Sequence, residues 1–263
     1  MSEFLLELYS EEIPPKLQIN ARNEIKVFFE KFLKEESLKY RLINTYSSPT
    51  RLTVLIKDVP EKIKIPEKEI KGPKVGVLED ILNSFMRAHN VTKKDVFEKE
   101  NDKGKFYFIK SKSKETLSKD LLIKIALNSI ASLTWQKSMR WSDKSLFWGR
   151  PLRSILAIFN KKILSFNYGH LKSSDFTIVE KDLDKKTKKI KTFSEYQLFL
   201  KNNNIILDHE ERRKKIIKKF ENICKNKMYQ NIFDKKLLDE VINIVEDPNV
   251  LLIEFNKNYL DIP

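Results

Sequence analysis

The chain opens on an alternating run. Phe4, Leu6 and Leu8 point one way and Glu3, Leu5 and Glu7 the other, which predicts a strand over 3–9. Ser10-Glu11-Glu12-Ile13-Pro14-Pro15 then breaks the pattern. Proline cannot donate to a ladder, and it suits the first turn of a helix. Leu17, Ala21, Ile25, Phe28, Phe29, Phe32 and Leu33 recur at helical spacing, so a helix is expected from 15 to about 36. Two strands, 41–46 and 51–58, flank Ser47-Ser48-Pro49-Thr50, and Lys71-Gly72-Pro73-Lys74 reads as a loop. Helical patterns follow at 77–89 and 117–132, with a strand at 105–110 between them and an apolar run at 152–159. Helices near 193–202, 208–223 and 234–246 precede a last strand at 249–255.

Strands mixed irregularly with helices predict an α+β fold: a mixed, mainly antiparallel sheet with flanking helices, and a helical segment toward the C-terminus. The stretch Lys181-Asp182-Leu183-Asp184-Lys185-Lys186-Thr187-Lys188-Lys189-Ile190-Lys191 is dense in charge and is the expected flexible boundary. It divides an α+β region, 1–180, from a helical segment, 192–263, that packs back on it. The wider stretch 165–191 is expected to be mobile.

Charge changes the picture. Lysine and arginine total 51 against 37 acids. The excess is concentrated: residues 101–162 hold fourteen bases and four acids, whereas residues 1–60 hold nine of each. A basic surface attracts polyanions, and RNA is the first candidate, although a lysine-rich composition with solvated faces gives the same count. Arg140, Arg150, Arg153, Lys161 and Lys162 are the candidate RNA contacts, with Arg51 and Lys74 in separate loops. Two tryptophans, Trp141 and Trp148, sit among these arginines. They either stack on unpaired bases or form a packed cluster under arginine stems. Asp208, Glu210, Glu211, Arg212, Arg213 and Lys215 read as a solvated helix face, with Asp208–Arg212 and Glu211–Lys215 pairs.

Other chemistry is sparse. Five glycines are too few for Gly-rich phosphate cradles, and the P-loop and dinucleotide fingerprints are absent. His89, His170 and His209 are scattered without metal-ligand spacing, so no metal is expected. Adjacent Glu11 and Glu12 point apart and suit a charged turn before a helix. Cys224 stands alone, which excludes an intrachain disulfide. No run approaches the ~18 apolar residues of a membrane span, and the start lacks a signal peptide's basic flank. A soluble, cytoplasmic protein is expected.

Several segments carry a more specific resemblance. Leu5-Leu6-Glu7 followed by Glu11-Glu12-Ile13-Pro14-Pro15 resembles the opening of the bacterial glycine–tRNA ligase β-subunit family. Ser48-Pro49-Thr50-Arg51-Leu52-Thr53-Val54, Lys71-Gly72-Pro73, and Met139-Arg140-Trp141 with Arg150-Pro151 are similar to further elements of that family. So are Glu211-Arg212-Arg213, Leu237-Leu238-Asp239-Glu240-Val241 and Val245-Glu246-Asp247-Pro248, all in family order. One element departs: Gly169-His170 is followed by Leu171, where the family carries Gly-His-Arg-Phe.

The resemblance implies a B3/B4-like α+β fold and a division of labour. The family chain continues well past this one, toward an anticodon-binding domain. A separate α subunit carries glycine and ATP activation in an α2β2 tetramer. The β subunit binds tRNA(Gly), and this chain would bind no cofactor and carry no aminoacylation site. A free-standing RNA-binding module and a deacylase acting on mischarged tRNA are the alternatives.

Overall fold

The computed structural model describes residues 2–65, 69–101, 104–110, 114–141, 146–181, 184–256 and 259; the side chains of Ile65, Asn101, Lys114, Arg140, Trp141 and Leu146 lie outside that description. The elements run β1 (Glu3–Ser10), α1 (Pro15–Glu35), β2 (Leu42–Ser48), β3 (Arg51–Lys57), β4 (Lys62–Ile65), β5 (Glu69–Lys74) and α2 (Glu79–Ala88). Then come β6 (Val96–Asn101), β7 (Gly104–Lys110), β8 (Lys114–Leu117), α3 (Ser118–Ser132), β9 (Met139–Trp141), β10 (Leu146–Trp148) and β11 (Leu152–Phe159). The rest are β12 (Lys162–Ile163), β13 (Asn167–Tyr168), β14 (Leu171–Lys172), β15 (Phe176–Lys181), β16 (Asp184–Lys189), α4 (Phe193–Asn202), α5 (His209–Lys227) and α6 (Lys235–Ile244).

The chain forms two compact units, Lys62–Ser118 and the remainder. The larger is organised by an antiparallel sheet in the order β12-β11-β1-β3-β2. β1 lies inside it, with Glu7 opposite Thr53 of β3 and Leu156 of β11. Both faces of β1 are covered. Phe4 meets Phe29 of α1 with ring centroids 5.9 Å apart. On the other face Leu5, Leu55, Leu156 and Ile158 join Val179 of β15 and Tyr196 and Leu200 of α4 in one buried cluster. The alternation read from the sequence is real, but its second face is core as well, so Glu7 is fully buried.

α1 follows the periodicity. Pro15 occupies its first position, and Leu17, Ala21, Ile25, Phe29 and Leu33 form its buried stripe. α3 is joined to the residue that ends α1 through Lys124–Glu36 at 2.6 Å, and Thr134, just beyond α3, donates to Glu24 of α1. Arg213 of α5 pairs with Asp239 of α6 at 2.6 Å.

Four expectations need correction. Lys71–Lys74, expected as a loop, ends strand β5 and pairs with β7, with a bulge between Lys71 and Lys74. The 184–189 part of the charged boundary is a strand paired antiparallel with β15, its side chains exposed while Ile178, Val179 and Ile190 are buried beside it. The two compact units divide the chain elsewhere, at 61/62 and 118/119. No strand forms over 249–255: Leu251, Leu252, Ile253 and Phe255 are exposed, and without a partner an extended run has no ladder to join.

The smaller unit, Lys62–Ser118, holds a three-stranded antiparallel sheet in the order β5-β7-β6 and a two-stranded ribbon, β4 with β8. α2 lies against β5: a side chain at Gly72 would come within 2.7 Å of Phe85.

Candidate functional site

Four of the segments that resemble family elements, around 10–15, 48–51, 150–151 and 245–248, are far apart in sequence and are tied together in the larger unit. The turn after β1 is bonded to the β2–β3 turn by Ser10 N donating to Thr50 O (2.9 Å) and Ile13 N to Pro49 O (2.7 Å). It is bonded to the start of β11 by Glu11 N donating to Pro151 O at 3.0 Å. Gln18 Nε2 of α1 donates to Ile13 O (2.7 Å) and Asn243 O (2.6 Å). Glu246 then receives Ser48 Oγ at 3.1 Å, Thr50 Oγ1 at 3.3 Å and Arg51 Nη1 at 3.2 Å. The β2–β3 turn thus closes on the Glu246 carboxylate, and backbone bonds tie the 10–13 turn to that turn and to Pro151.

Beneath it lies a buried polar network. Arg51 Nε is 3.3 Å from Glu7 Oε2, and both side chains are essentially solvent-free. Thr177 Oγ1 donates to Glu7 at 2.7 Å, Tyr196 donates its hydroxyl to the same carboxylate, and Thr53 Oγ1 lies 3.1 Å from that hydroxyl. Arg51 also donates to the carbonyl of Ile178 and lies over the Tyr9 ring at 4.8 Å. Burial pushes the Glu7 carboxyl up, and Arg51 with the two hydroxyl donors opposes it. Burial, and then the Glu7 charge, holds the Tyr196 phenol well above its ordinary value, so it stays a donor. Desolvation drives the Arg51 guanidinium down, but Glu7, Tyr196 and Glu246 outweigh it.

Arg51 is therefore no loop cation. It is 1% exposed and its charge is satisfied from within. Arg212 departs from expectation in the same way. It was expected to pair with Asp208 on a solvated face; instead it is fully buried and donates to the carbonyls of Ile242, Ile206, Leu207 and Ser47. Lys215 pairs with Asp247. The cause is position: Arg212 lies where α5, α6 and β2 meet, and open carbonyls there need a donor.

The remaining basic candidates lie nearer the surface. Arg153 is half-exposed and pairs with Glu180 at 2.5 Å, which Lys185 also approaches at 3.3 Å. Arg150 is half-buried, 3.5 Å from the Gly149 carbonyl and 3.7 Å from Met139 Sδ. Lys161 sits on a left-handed turn with Asn160, and Lys162 starts the edge strand β12; both are exposed. Lys74 is exposed at the end of β5 in the smaller unit. Arg140 and Trp141 lie on β9, paired with Phe147 and Leu146, and their side chains fall outside the described residues. Trp148 is 1% exposed, its ring 4.8 Å from that of Trp135, so it packs rather than offering a face to a base. Gly149 permits that cluster, because a side chain there would fall 2.5 Å from Trp135. Glu11 and Glu12 are both exposed.

The sequence reading missed Glu7, Thr177, Tyr196 and Glu246 as partners. A signal existed for Glu7: it stands in a run of large apolar residues, Phe4-Leu5-Leu6-Glu7-Leu8, which suits a strand covered on both faces.

Residues 4–263 match the family described as glycyl-tRNA synthetase beta subunit. The chain belongs to that family. The glycine–tRNA ligase beta subunit of Rickettsia prowazekii is 36% identical over 264 residues, covering 100% of this chain and 39% of the relative. Those of Rickettsia akari and Rickettsia typhi are each 36% identical over the whole chain and 40% of their own length. The chain thus spans about two fifths of the length of these relatives. Within this glycyl-tRNA synthetase β-subunit chain, Arg51 and Arg212 of the family-like segments hold the fold together, while Arg150 stays near the surface. Among the described residues, no helix is long and apolar enough to cross a membrane, and no group of three His, Cys, Asp or Glu is placed to hold a metal ion.

Proposed function

We propose that this chain supports the attachment of glycine to tRNA(Gly) as part of a ligase β subunit. It binds tRNA and assembles with an α subunit, in an α2β2 tetramer, and the α subunit activates glycine with ATP. The observation that carries this reading is the family match along 4–263. The basic residues at the two ends of β11, Arg150 and Arg153 at its start and Lys161 and Lys162 past its end, support it, since each phosphate that a Lys or Arg neutralises releases condensed cations.

Two measurements test it. Co-expressed with a cognate α subunit, the chain should co-purify, and only the α-containing fraction should show glycine-dependent exchange of pyrophosphate into ATP. Exchange by the chain alone would refute the division of labour. In the second, Arg150→Gln with Arg153→Gln should weaken tRNA binding and flatten its logarithmic salt slope by roughly 0.9 per lost contact. An unchanged slope would remove these arginines from the interface. The choice among tRNAs should stay the same, because phosphates carry no sequence.

A further inference from the structure

The smaller unit carries a surface of different chemistry from the basic residues around β11. In its sheet, Phe97 of β6 and Lys71 of β5 both stand opposite Phe108 of β7, while Lys99 and Lys74 stand opposite Phe106. Residues directly opposite one another share a face. One face therefore carries Phe97, Phe106 and Phe108, with Lys71, Lys74 and Lys99 among them. The other carries Ile70 and Ile109, which line a groove with His89 and Val91 just beyond α2. The helix and the turn that follows it are thus on the far side from the phenylalanines.

The lysines lie over the rings. Lys71 Nζ is 3.5 Å from the Phe106 centroid, Lys99 is 5.9 Å from Phe108 and Lys110 is 5.9 Å from Phe97. All four lysines are exposed, and Phe97 and Phe106 are half-exposed. One acid of this face, Glu69, is taken by Lys99 at 2.6 Å. Among the described residues, Lys71, Lys74 and Lys110 have no ion-pair partner and stand as surplus charge.

We infer that this sheet face is a binding platform for unpaired RNA, with bases stacked on Phe97 and Phe106 and phosphates held by Lys71, Lys74 and Lys110. Aromatic rings on an open sheet stack unpaired bases regardless of sequence, and interleaved lysines follow the backbone. A duplex cannot use the rings, because its bases are already stacked. The lysines now over the rings are no obstacle. An exposed lysine–phenyl contact is worth about twofold to fivefold in affinity, and a base stack about fivefold to a hundredfold. The ammonium keeps its charge contact by swinging from the ring to a phosphate. This inference rests on the RNA-binding reading above and assigns it a second surface of different chemistry.

The test compares a short labelled unpaired oligoribonucleotide with an RNA hairpin of equal phosphate number whose stem is closed by a non-nucleotide linker, so that it has no unpaired base, each titrated with the 263-residue chain. Phe97→Leu with Phe106→Leu keeps apolar bulk and removes the rings. It should lose roughly tenfold or more on the unpaired strand, with hairpin affinity and both salt slopes unchanged. Lys71→Gln with Lys110→Gln should weaken both ligands and flatten both slopes. Circular dichroism of each variant confirms that the unit is folded, and the lysine pair tests the same face should the leucines unfold it. The platform is overturned if the leucine variant binds the unpaired strand like the parent, or if the lysine variant keeps the parental slope while the hairpin still binds. Failure of the unaltered chain to bind either RNA would overturn the broader RNA-binding reading with it.

Discussion

Glu7 and Arg51 set the cost of disturbing the core at single residues. Removing one partner of a buried pair leaves the other desolvated and unmatched, at a cost of about 3–5 kcal/mol. Glu7→Ala should sit toward the lower end, since Arg51 keeps Glu246 at 3.2 Å and the Ile178 carbonyl. Urea denaturation of Glu7→Ala, Arg51→Met and the double variant closes the cycle. The double should lose less than the sum of the singles, because the orphaned charge is then gone. Strict additivity would show that the two groups do not act as a pair.

At the scale of elements, the start of α5 carries a pH dependence. His209 is its first residue, and Asp208 caps it by accepting from Glu210 N at 2.8 Å. Burial, then the nearby Arg22 cation, lowers the His209 imidazole to about 4. Its unfolded value lies near 6.5, so between about 6.5 and about 4 the unfolded chain binds the extra proton. Stability from this group is therefore complete above about 6.5 and falls as pH falls toward about 4. His209→Gln should flatten the fall in melting temperature across that window. A parallel offset at every pH would exclude a titrating role. The long elements were legible: α1, α3, α4, α5 and α6 follow apolar periodicity, and β3 and β11 follow apolar runs. Short pairs such as β12, β13 and β14 were not, because two residues carry no period. The bonds from the β2–β3 turn to Glu246 were also hidden: both segments showed as motifs, but these bonds join residues nearly 200 positions apart.

At the scale of the molecule, the smaller unit is an insertion whose ends meet. Lys62 pairs with Leu117 across β4 and β8, which places their backbones ~5 Å apart. Replacing 62–118 by a linker of a few Gly and Ser residues should therefore leave the larger unit folded. Its five-stranded sheet takes no strand from the insertion. The shortened chain should unfold in one cooperative transition and lose its preference for unpaired RNA over hairpin. Loss of cooperative unfolding would mean that the two units depend on one another to fold.

The central position of β1 also has a consequence on the ribosome. Its β3 neighbour is made soon after it, but β11 begins about a hundred residues later. At ordinary synthesis rates that interval lasts roughly 5–20 s. Throughout it one edge of β1 offers unpaired backbone donors and acceptors to any passing strand. Tyr196, which closes the network over Glu7, is made later still, so until α4 is made Glu7 lacks one of the donors that satisfy it. Until β11 is made the sheet is open along β1, and its synthesis closes the edge that could otherwise pair with a neighbouring nascent chain.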